Sequence, residues 1–127
     1  MDLPSIAVIE PGFSLEPSHD GERLNVRLTG NADMHAVKTL SAALKTIHEQ
    51  AVRLQVRDVL CDLTALYFMN SSCFKAFVTW VTAALALEPQ ARYTIHLRSN
   101  GQLHWQKRSL EALRRLAEEV VSIELGA

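Results

Sequence analysis

Cysteine is scarce in this chain, whose 127 residues include two, Cys61 and Cys73. They form no Cys-x-x-Cys arrangement and lack the spacing of a zinc site, and the five histidines are scattered without the i, i+4 pair of a metal-binding helix. The sequence therefore predicts no disulfide framework, no metal site and no cofactor.

Long apolar stretches are also missing. No run approaches the ~20 residues that a membrane-spanning helix needs, and the opening residues MDLP lack the basic and apolar regions of a signal peptide. The 13 basic and 14 acidic residues give a net charge of −1, so no general electrostatic field attracts nucleic acid or an anionic membrane. We expect a cytoplasmic monomer that binds neither.

Local signatures of catalysis are absent as well. With five glycines the chain has no phosphate-binding glycine loop, and it shows no local combination of serine, histidine and aspartate and no paired catalytic carboxylates. The sequence therefore predicts a protein that is not an enzyme.

What the chain does contain is the pattern of one α/β domain over residues 1–127, long enough to bury a core. Alternation around Asp20-Gly21 predicts a β-hairpin, with Pro17 ending its first strand or marking an edge. Helices are predicted over about residues 34–52, with Asp33 as N-cap, over about 71–87, and from the turn at 100–101 to near 119. Further strands are predicted at 58–63, central and covered on both faces, at 93–97 and at 120–125. The order β-β-α-β-α-β-α-β indicates a mixed β-sheet with helices packed against it.

The segment at residues 59–74, VLCDLTALYFMNSSCF, is the centre of this pattern. Its apolar run ends in Asn70, Ser71 and Ser72, where a helical pattern begins. Asn70 is a good N-cap because its side-chain oxygen accepts a hydrogen bond from a first-turn amide. Both serines then lie in the first turn, where free amides and the helix dipole favour a negative group such as a phosphate.

Three segments in this order resemble a STAS domain, the module of anti-sigma factor antagonists and of the cytoplasmic tails of sulphate transporters. Residues 28–33 (LTGNAD) are similar to the family's strand-Gly-x-x-Asp entry to its first helix, residues 59–64 (VLCDLT) to its central strand, and residues 68–73 (FMNSSC) to its Asp-Ser-Ser/Thr-Gly motif. The likeness covers about residues 13–125. It implies a STAS-like fold and a non-enzymatic binding module that switches partners when a serine is phosphorylated.

Carried over to this chain, the resemblance makes Ser71 the phosphoacceptor, with Ser72 as the second candidate. The implied partner is an anti-sigma factor or related serine kinase that binds the unphosphorylated form. Within the motif, Asn70 stands where the family usually has Asp and Cys73 where it usually has Gly. Trp80 falls off the apolar stripe of its helix, so it is either an exposed aromatic contact for a partner or buried against a neighbouring element. The expected partner-binding residues are Asn31, Asp33, Asn70, Cys73 and Trp80.

Other interpretations stay open. The chain is alternatively an unphosphorylated STAS scaffold, or a small hydrolase or ligand-binding domain that uses the same helix N-terminus as an anion site, which a pocket beside Asp33 would favour. Cys73 is either a redox-sensitive thiol, whose pKa a helix N-terminus lowers, or a small side chain facing the core. Asp62 is either a functional carboxylate or a structural one that binds nearby amides.

Overall fold

The computed structural model describes residues 7–126. Its strands are β1 (Val8–Glu10), β2 (Phe13–Asp20), β3 (Arg23–Ala32), β4 (Asp58–Met69), β5 (Thr94–Ser99) and β6 (Val121–Leu125). Its helices are α1 (Val37–Leu54), α2 (Ser71–Leu85) and α3 (His104–Leu116). The predicted order of elements is confirmed, and β1 precedes it as a short additional strand. The opening residues, on which the expectation about a signal peptide rests, lie outside the described part.

The strands form one mixed sheet in the order β1-β2-β3-β4-β5-β6. β1, β2 and β3 are antiparallel, whereas β3 to β6 run parallel to one another. Each parallel strand lies next to its predecessor on the same side, so right-handed crossovers place α1, α2 and α3 on one face of the sheet. The buried core of the described residues lies between that face and the helices.

The central position of β4 is as predicted, but its expected burial on both faces holds only in part, since Leu60 on the face away from the helices is buried whereas Asp62 on the same face is half-buried. Val59, Cys61 and Leu63 belong to the core beneath the helices. The opposite face of the sheet carries a row of cross-strand neighbours of alternating charge: Glu16, Arg27, Asp62, Arg98 and Glu124. Neighbouring opposite charges stabilise a sheet surface by roughly 0.2–1 kcal/mol per pair, so this face is suited to water rather than to a second layer of helices.

β4 is longer than predicted, because it continues past Leu63 to Met69. Its pairing with β5 ends at Asp62, but its pairing with β3 continues through two register shifts. At the first shift the carboxylate of Asp62 accepts hydrogen bonds from the amide and the hydroxyl of Thr64, at 2.9 and 2.7 Å. This geometry supports the structural role for Asp62. The extended strand delivers the chain to the start of α2.

The sequence predicts Asp33 as the N-cap of α1, and this prediction is wrong. The N-cap is Ala36, which makes no side-chain capping bond, and the helix begins at Val37. Asp33 instead accepts the amide of His35 with Oδ1 at 2.9 Å and the amide of Ala36 with its carbonyl at 3.0 Å. A short polar side chain that binds its own backbone favours a turn over a helix. The carboxylate therefore stays exposed between β3 and α1.

The hairpin is confirmed at the predicted place, with Gly21 in the left-handed region at φ 61°. β2 does not end at Pro17, which pairs with Val26 of β3. Among the described residues, β1 pairs only with Phe13, Ser14 and Leu15 of β2, so Pro17 has a described sheet neighbour on one side alone, a position where proline is tolerated. The remaining differences are at element ends, since α2 stops at Leu85 and α3 at Leu116.

Candidate functional site at the start of α2

Asn70 caps α2. Its backbone is extended, its Oδ1 accepts the amide of Cys73 at 2.8 Å, and its carbonyl accepts the amide of Phe74 at 3.0 Å. The predicted N-cap is therefore confirmed. Ser71 is exposed and Ser72 is half-buried, so Ser71 presents the more accessible hydroxyl.

The loop between β3 and α1 lies directly beside this helix start. The amide of Asn70 donates to the carbonyl of Ala32 at 2.9 Å, and the thiol of Cys73 donates to the carbonyl of Asp33 at 3.5 Å. Asn31 and Asp33 are both exposed. The structure thus brings together two segments that are far apart in the sequence, and their polar side chains share one edge of the molecule.

The electrostatics of this edge are mixed. The amides of Ser71 and Ser72 have no acceptor within the helix, and the positive end of the α2 dipole favours an anion there. Lys75 is exposed one turn further along α2, within reach of a group on Ser71 by the i, i+4 spacing. The carboxylate of Asp33 supplies the opposing negative charge from the neighbouring loop.

Cys73 is buried, so the expectation that its thiol faces a partner is wrong. Burial and, to a lesser extent, the nearby charge of Asp33 raise the pKa of the Cys73 thiol to about 11. A redox-sensitive thiol requires a lowered pKa. At Cys73 the effect of burial exceeds the effect of the helix N-terminus, so the redox-sensor interpretation is not supported. The side chain fills the space between α2 and the loop that contains Asp33.

Trp80 is also buried, with 2% of its surface exposed, so the expectation of an exposed aromatic partner contact is wrong. Its indole N–H donates to the hydroxyl of Tyr93 at 2.9 Å, and its ring lies 6.0 Å from that of Phe77. α2 lies between α1 and α3, so it buries a wider arc than a helix with one neighbour. The buried residues of α2 are Cys73, Phe77, Trp80, Val81 and Ala84.

Three large apolar side chains at this edge were missed from the sequence. Met34 is 78% exposed, Tyr67 57% and Phe68 47%. Phe68 pairs with Asn31 across β3 and β4, Tyr67 falls at the second register shift, and Met34 directly follows Asp33. The sequence does contain a signal for this exposure, which is the aromatic pair Tyr67 and Phe68 shortly before the helix cap. Two consecutive aromatic residues break the alternation of a half-buried strand. Exposed apolar side chains grouped around polar ones are typical of protein-binding surfaces.

No family model and no curated protein matches this sequence. Solved structures do match it. An anti-sigma factor antagonist from Mycobacterium paratuberculosis superposes with a TM-score of 0.65 at 15% identity, covering 91% of this chain and 90% of that one. The Bacillus cell fate determinant SpoIIAA in its phosphorylated form gives a TM-score of 0.57 at 22% identity, covering 91% of each chain. SpoIIAA in its unphosphorylated form, described as an anti-sigma factor antagonist, gives 0.54 at 19% identity over 91% of this chain and 89% of that one. This chain has the STAS fold.

In this fold, two of the three segments that carry the sequence resemblance, residues 28–33 and 68–73, lie side by side. Gly30 has φ 97°, and a Cβ there would collide with the carbonyl of Gly12, which accepts the amide of Asn31 at 2.7 Å. The glycine therefore lets the β1–β2 connection pack closely on β3. This packing holds the end of β3, with Asn31, and the following loop, with Asp33, against the start of α2.

Among residues 7–126, no group of three or more histidine, cysteine, aspartate and glutamate side chains is placed to hold a metal ion. In the same described part of the chain, no helix is both long enough and apolar enough to cross a bilayer.

Proposed function

We propose that this protein is a non-enzymatic, cytoplasmic binding module of a partner-switching pathway, in which phosphorylation of Ser71 controls binding. The partner is an anti-sigma factor or a related serine kinase. The observation that carries the proposal is the exposed Ser71 hydroxyl at a capped helix start, next to the exposed apolar side chains of Met34 and Phe68. The STAS fold and the anti-sigma factor antagonists that share it support the same conclusion.

The unphosphorylated surface is suited to a protein partner. Met34, Tyr67 and Phe68 offer apolar area that loses water on binding, while Asn31 and Asp33 supply polar groups at the same edge. Such a surface, with apolar residues grouped among polar ones, is what a transient interface requires. We call this set of five residues and Ser71 the α2-start surface.

Phosphorylation changes the energetics of that surface without changing the fold. A phosphate on Ser71 brings about −2 of charge, which the dipole and the first-turn amides of α2 stabilise locally. A partner that buries this position must remove water from the phosphate, and an unpaired buried charge is costly. The charge of Asp33 on the adjacent loop adds repulsion against the same group. Phosphorylation therefore releases the partner rather than unfolding the helix.

The two departures from the family motif are compatible with this switch. Asn70 caps α2 through its side-chain oxygen, which a carboxylate would do in the same way. Cys73 points into the core, so its thiol adds nothing to the surface that a partner approaches. The cavity between α1 and α2 and the one beside the start of α3 are lined by neither Ser71 nor Asp33.

The first test is the intact mass of the protein purified from its own host, before and after phosphatase treatment, with peptide fragmentation to locate added phosphate. We expect phosphate on Ser71, with Ser72 unmodified. Absence of phosphate under every growth and stress condition would contradict the switch and leave an unregulated STAS scaffold.

The second test is capture of partners from host lysate by Ser71→Ala and Ser71→Asp. Ser71→Ala should retain the partner, and Ser71→Asp should lose it. Ser18→Asp adds the same charge at an exposed position of β2, away from α2, and should bind as the parent does. Equal capture by all variants would refute control at Ser71.

A third comparison tests the α2-start surface itself. Phe68→Ser should reduce capture of the partner strongly, because an anchoring apolar side chain is lost. Leu125→Ser removes an apolar side chain that is even more exposed, 74% against 47% for Phe68, from the far edge strand and serves as the control. A loss of capture in Leu125→Ser alone would place the interface elsewhere.

A further inference from the structure

A cavity of about 280 Å³ opens between α1 and α2, at a place that the α2-start surface does not use. Small side chains create it, since Ala76 and Ala83 of α2 leave room opposite Leu44 of α1. The face of Trp80 forms part of the wall. The volume is close to the lower end of the range for small-molecule sites, so the cavity suits a compact ligand.

The lining also includes polar side chains. They are Ser41, Lys45 and His48 along α1 and Thr79 on α2. The lining contains two nitrogen-bearing basic side chains, those of Lys45 and His48, and no carboxylate. Lys45 is exposed, so its ammonium group keeps its water and its charge until a ligand replaces that water.

The protonation state of His48 follows from its hydrogen bonds. The buried hydroxyl of Tyr93 accepts the indole N–H of Trp80 at 2.9 Å and lies 2.7 Å from Nδ1 of His48. A buried hydroxyl proton without an acceptor is costly, so Tyr93 donates to Nδ1, which must be the unprotonated nitrogen. Burial also lowers the pKa of His48, more than the charge of Glu49 raises it. The neutral ring therefore carries its hydrogen on Nε2 and offers one donor.

We propose that this cavity binds a small aromatic monocarboxylate, with the ring between Leu44 of α1 and the α2 side chains of Ala76, Trp80 and Ala83, and the carboxylate on Lys45 and the Nε2–H of His48. Charge complementarity favours an anion, because two basic side chains and no acidic side chain line the cavity. The apolar walls select the ring over a small inorganic anion, which would leave them unfilled. Charge-assisted hydrogen bonds to the carboxylate orient the ligand. This inference is independent of the function proposed for Ser71.

The test uses 3-phenylpropanoate as the probe, titrated into isotope-labelled full-length protein and followed by amide and indole N–H resonances. We expect saturable shifts at residues 41–48 and 76–83 and at the indole of Trp80, with the indole of Trp105 as an internal reference, and a dissociation constant on the order of 1 mM or tighter. The neutral analogue 3-phenylpropanamide should bind about tenfold more weakly or worse.

Variants separate binding from folding. Lys45→Met should weaken the probe about tenfold, whereas Lys38→Met, another exposed lysine on α1 outside the cavity lining, should bind as the parent does. Ala83→Leu should fill the cavity and abolish the shifts, and circular dichroism confirms that each variant is folded. Unsaturable shifts, equal binding of acid and amide, or shifts that map outside α1 and α2 would each overturn the proposal.

Discussion

The indole N–H of Trp80 donates to the hydroxyl of Tyr93 at 2.9 Å, and both side chains are buried. The same hydroxyl lies 2.7 Å from Nδ1 of His48. One phenol therefore joins α1, α2 and the residue that precedes β5. A polar chain of this kind fixes the relative position of the two helices as well as satisfying its own buried groups.

Removing that hydroxyl should destabilise the protein. Tyr93→Phe leaves the indole N–H of Trp80 without an acceptor, and an unsatisfied buried donor costs roughly 1–3 kcal/mol. Urea denaturation measures the change in the free energy of unfolding. Tyr67→Phe removes the same atom from an exposed ring and should change stability by less than about 0.5 kcal/mol. Equal losses in both variants would contradict the hydrogen-bond assignment.

His48 should make stability depend on pH. Burial lowers its pKa in the folded state from the ordinary value of 6.5, so between the two pKa values the unfolded chain binds more protons than the folded one. Stability is therefore complete above about pH 6.5 and falls as the pH drops below it. The charged groups nearby in sequence are Lys45 and Glu49, and Glu49 partly offsets the shift. His48→Gln should flatten the curve between pH 7 and 5 in chemical denaturation, while His19→Gln, in the exposed hairpin, should not.

The α2 cap is testable by two substitutions at one position. Asn70→Ala removes the acceptor for the amide of Cys73 and should cost about 1 kcal/mol of unfolding free energy. It should also speed hydrogen exchange at that amide. Asn70→Asp keeps an oxygen acceptor and should leave both properties close to the parent's. A stable Asn70→Ala protein with a protected Cys73 amide would show that the cap bond is dispensable.

Gly30 should tolerate no side chain. Gly30→Ala forces a positive φ on alanine and drives its Cβ into the carbonyl of Gly12, so we expect a loss of at least ~2 kcal/mol in thermal or urea unfolding. Gly21→Ala shares the positive φ but meets open space, and should cost only about 1 kcal/mol. Equal losses of unfolding free energy in the two variants would show that the close approach of the β1–β2 connection to β3 does not contribute to stability.

The two thiols should be inert in the folded protein. Both Cys61 and Cys73 are buried, and burial raises the pKa of each above its ordinary value. At pH 8 a disulfide reagent should therefore modify neither thiol in native protein and both in denaturant. Rapid modification of Cys73 in the native state would restore the redox interpretation.

Short-range chemistry explains what could be predicted from the sequence. The Asp-Gly turn, the helical periodicities and the Asn70 cap depend on residues within a few positions of one another, so their patterns are visible along the chain. The recurrence of helices between strands was enough to predict the mixed sheet and the order of elements along the chain.

The N-cap at Asp33 failed for a local reason, because its side chain forms a turn with His35. Other failed expectations depended on long-range packing. Trp80 and Cys73 are buried because α1, α3 and the Asp33 loop cover faces of α2 that its own periodicity leaves open. β4 extends to Met69 because β3 continues to pair with it through two register shifts, which alternation in one strand does not reveal.

The sequence by itself determined most of the secondary structure, the order of elements along the chain and the position of the candidate switch serine, because these are set by local hydrogen bonding and by periodicity. Only the tertiary structure decided which side chains surround Ser71. The exposure of Met34 and Phe68 and the burial of Cys73 depend on how strands distant in sequence are placed against one another. The cavity between α1 and α2 has the same origin, because it depends on the distance between two helices whose positions are set by their packing on the sheet and by the hydrogen bonds of Tyr93.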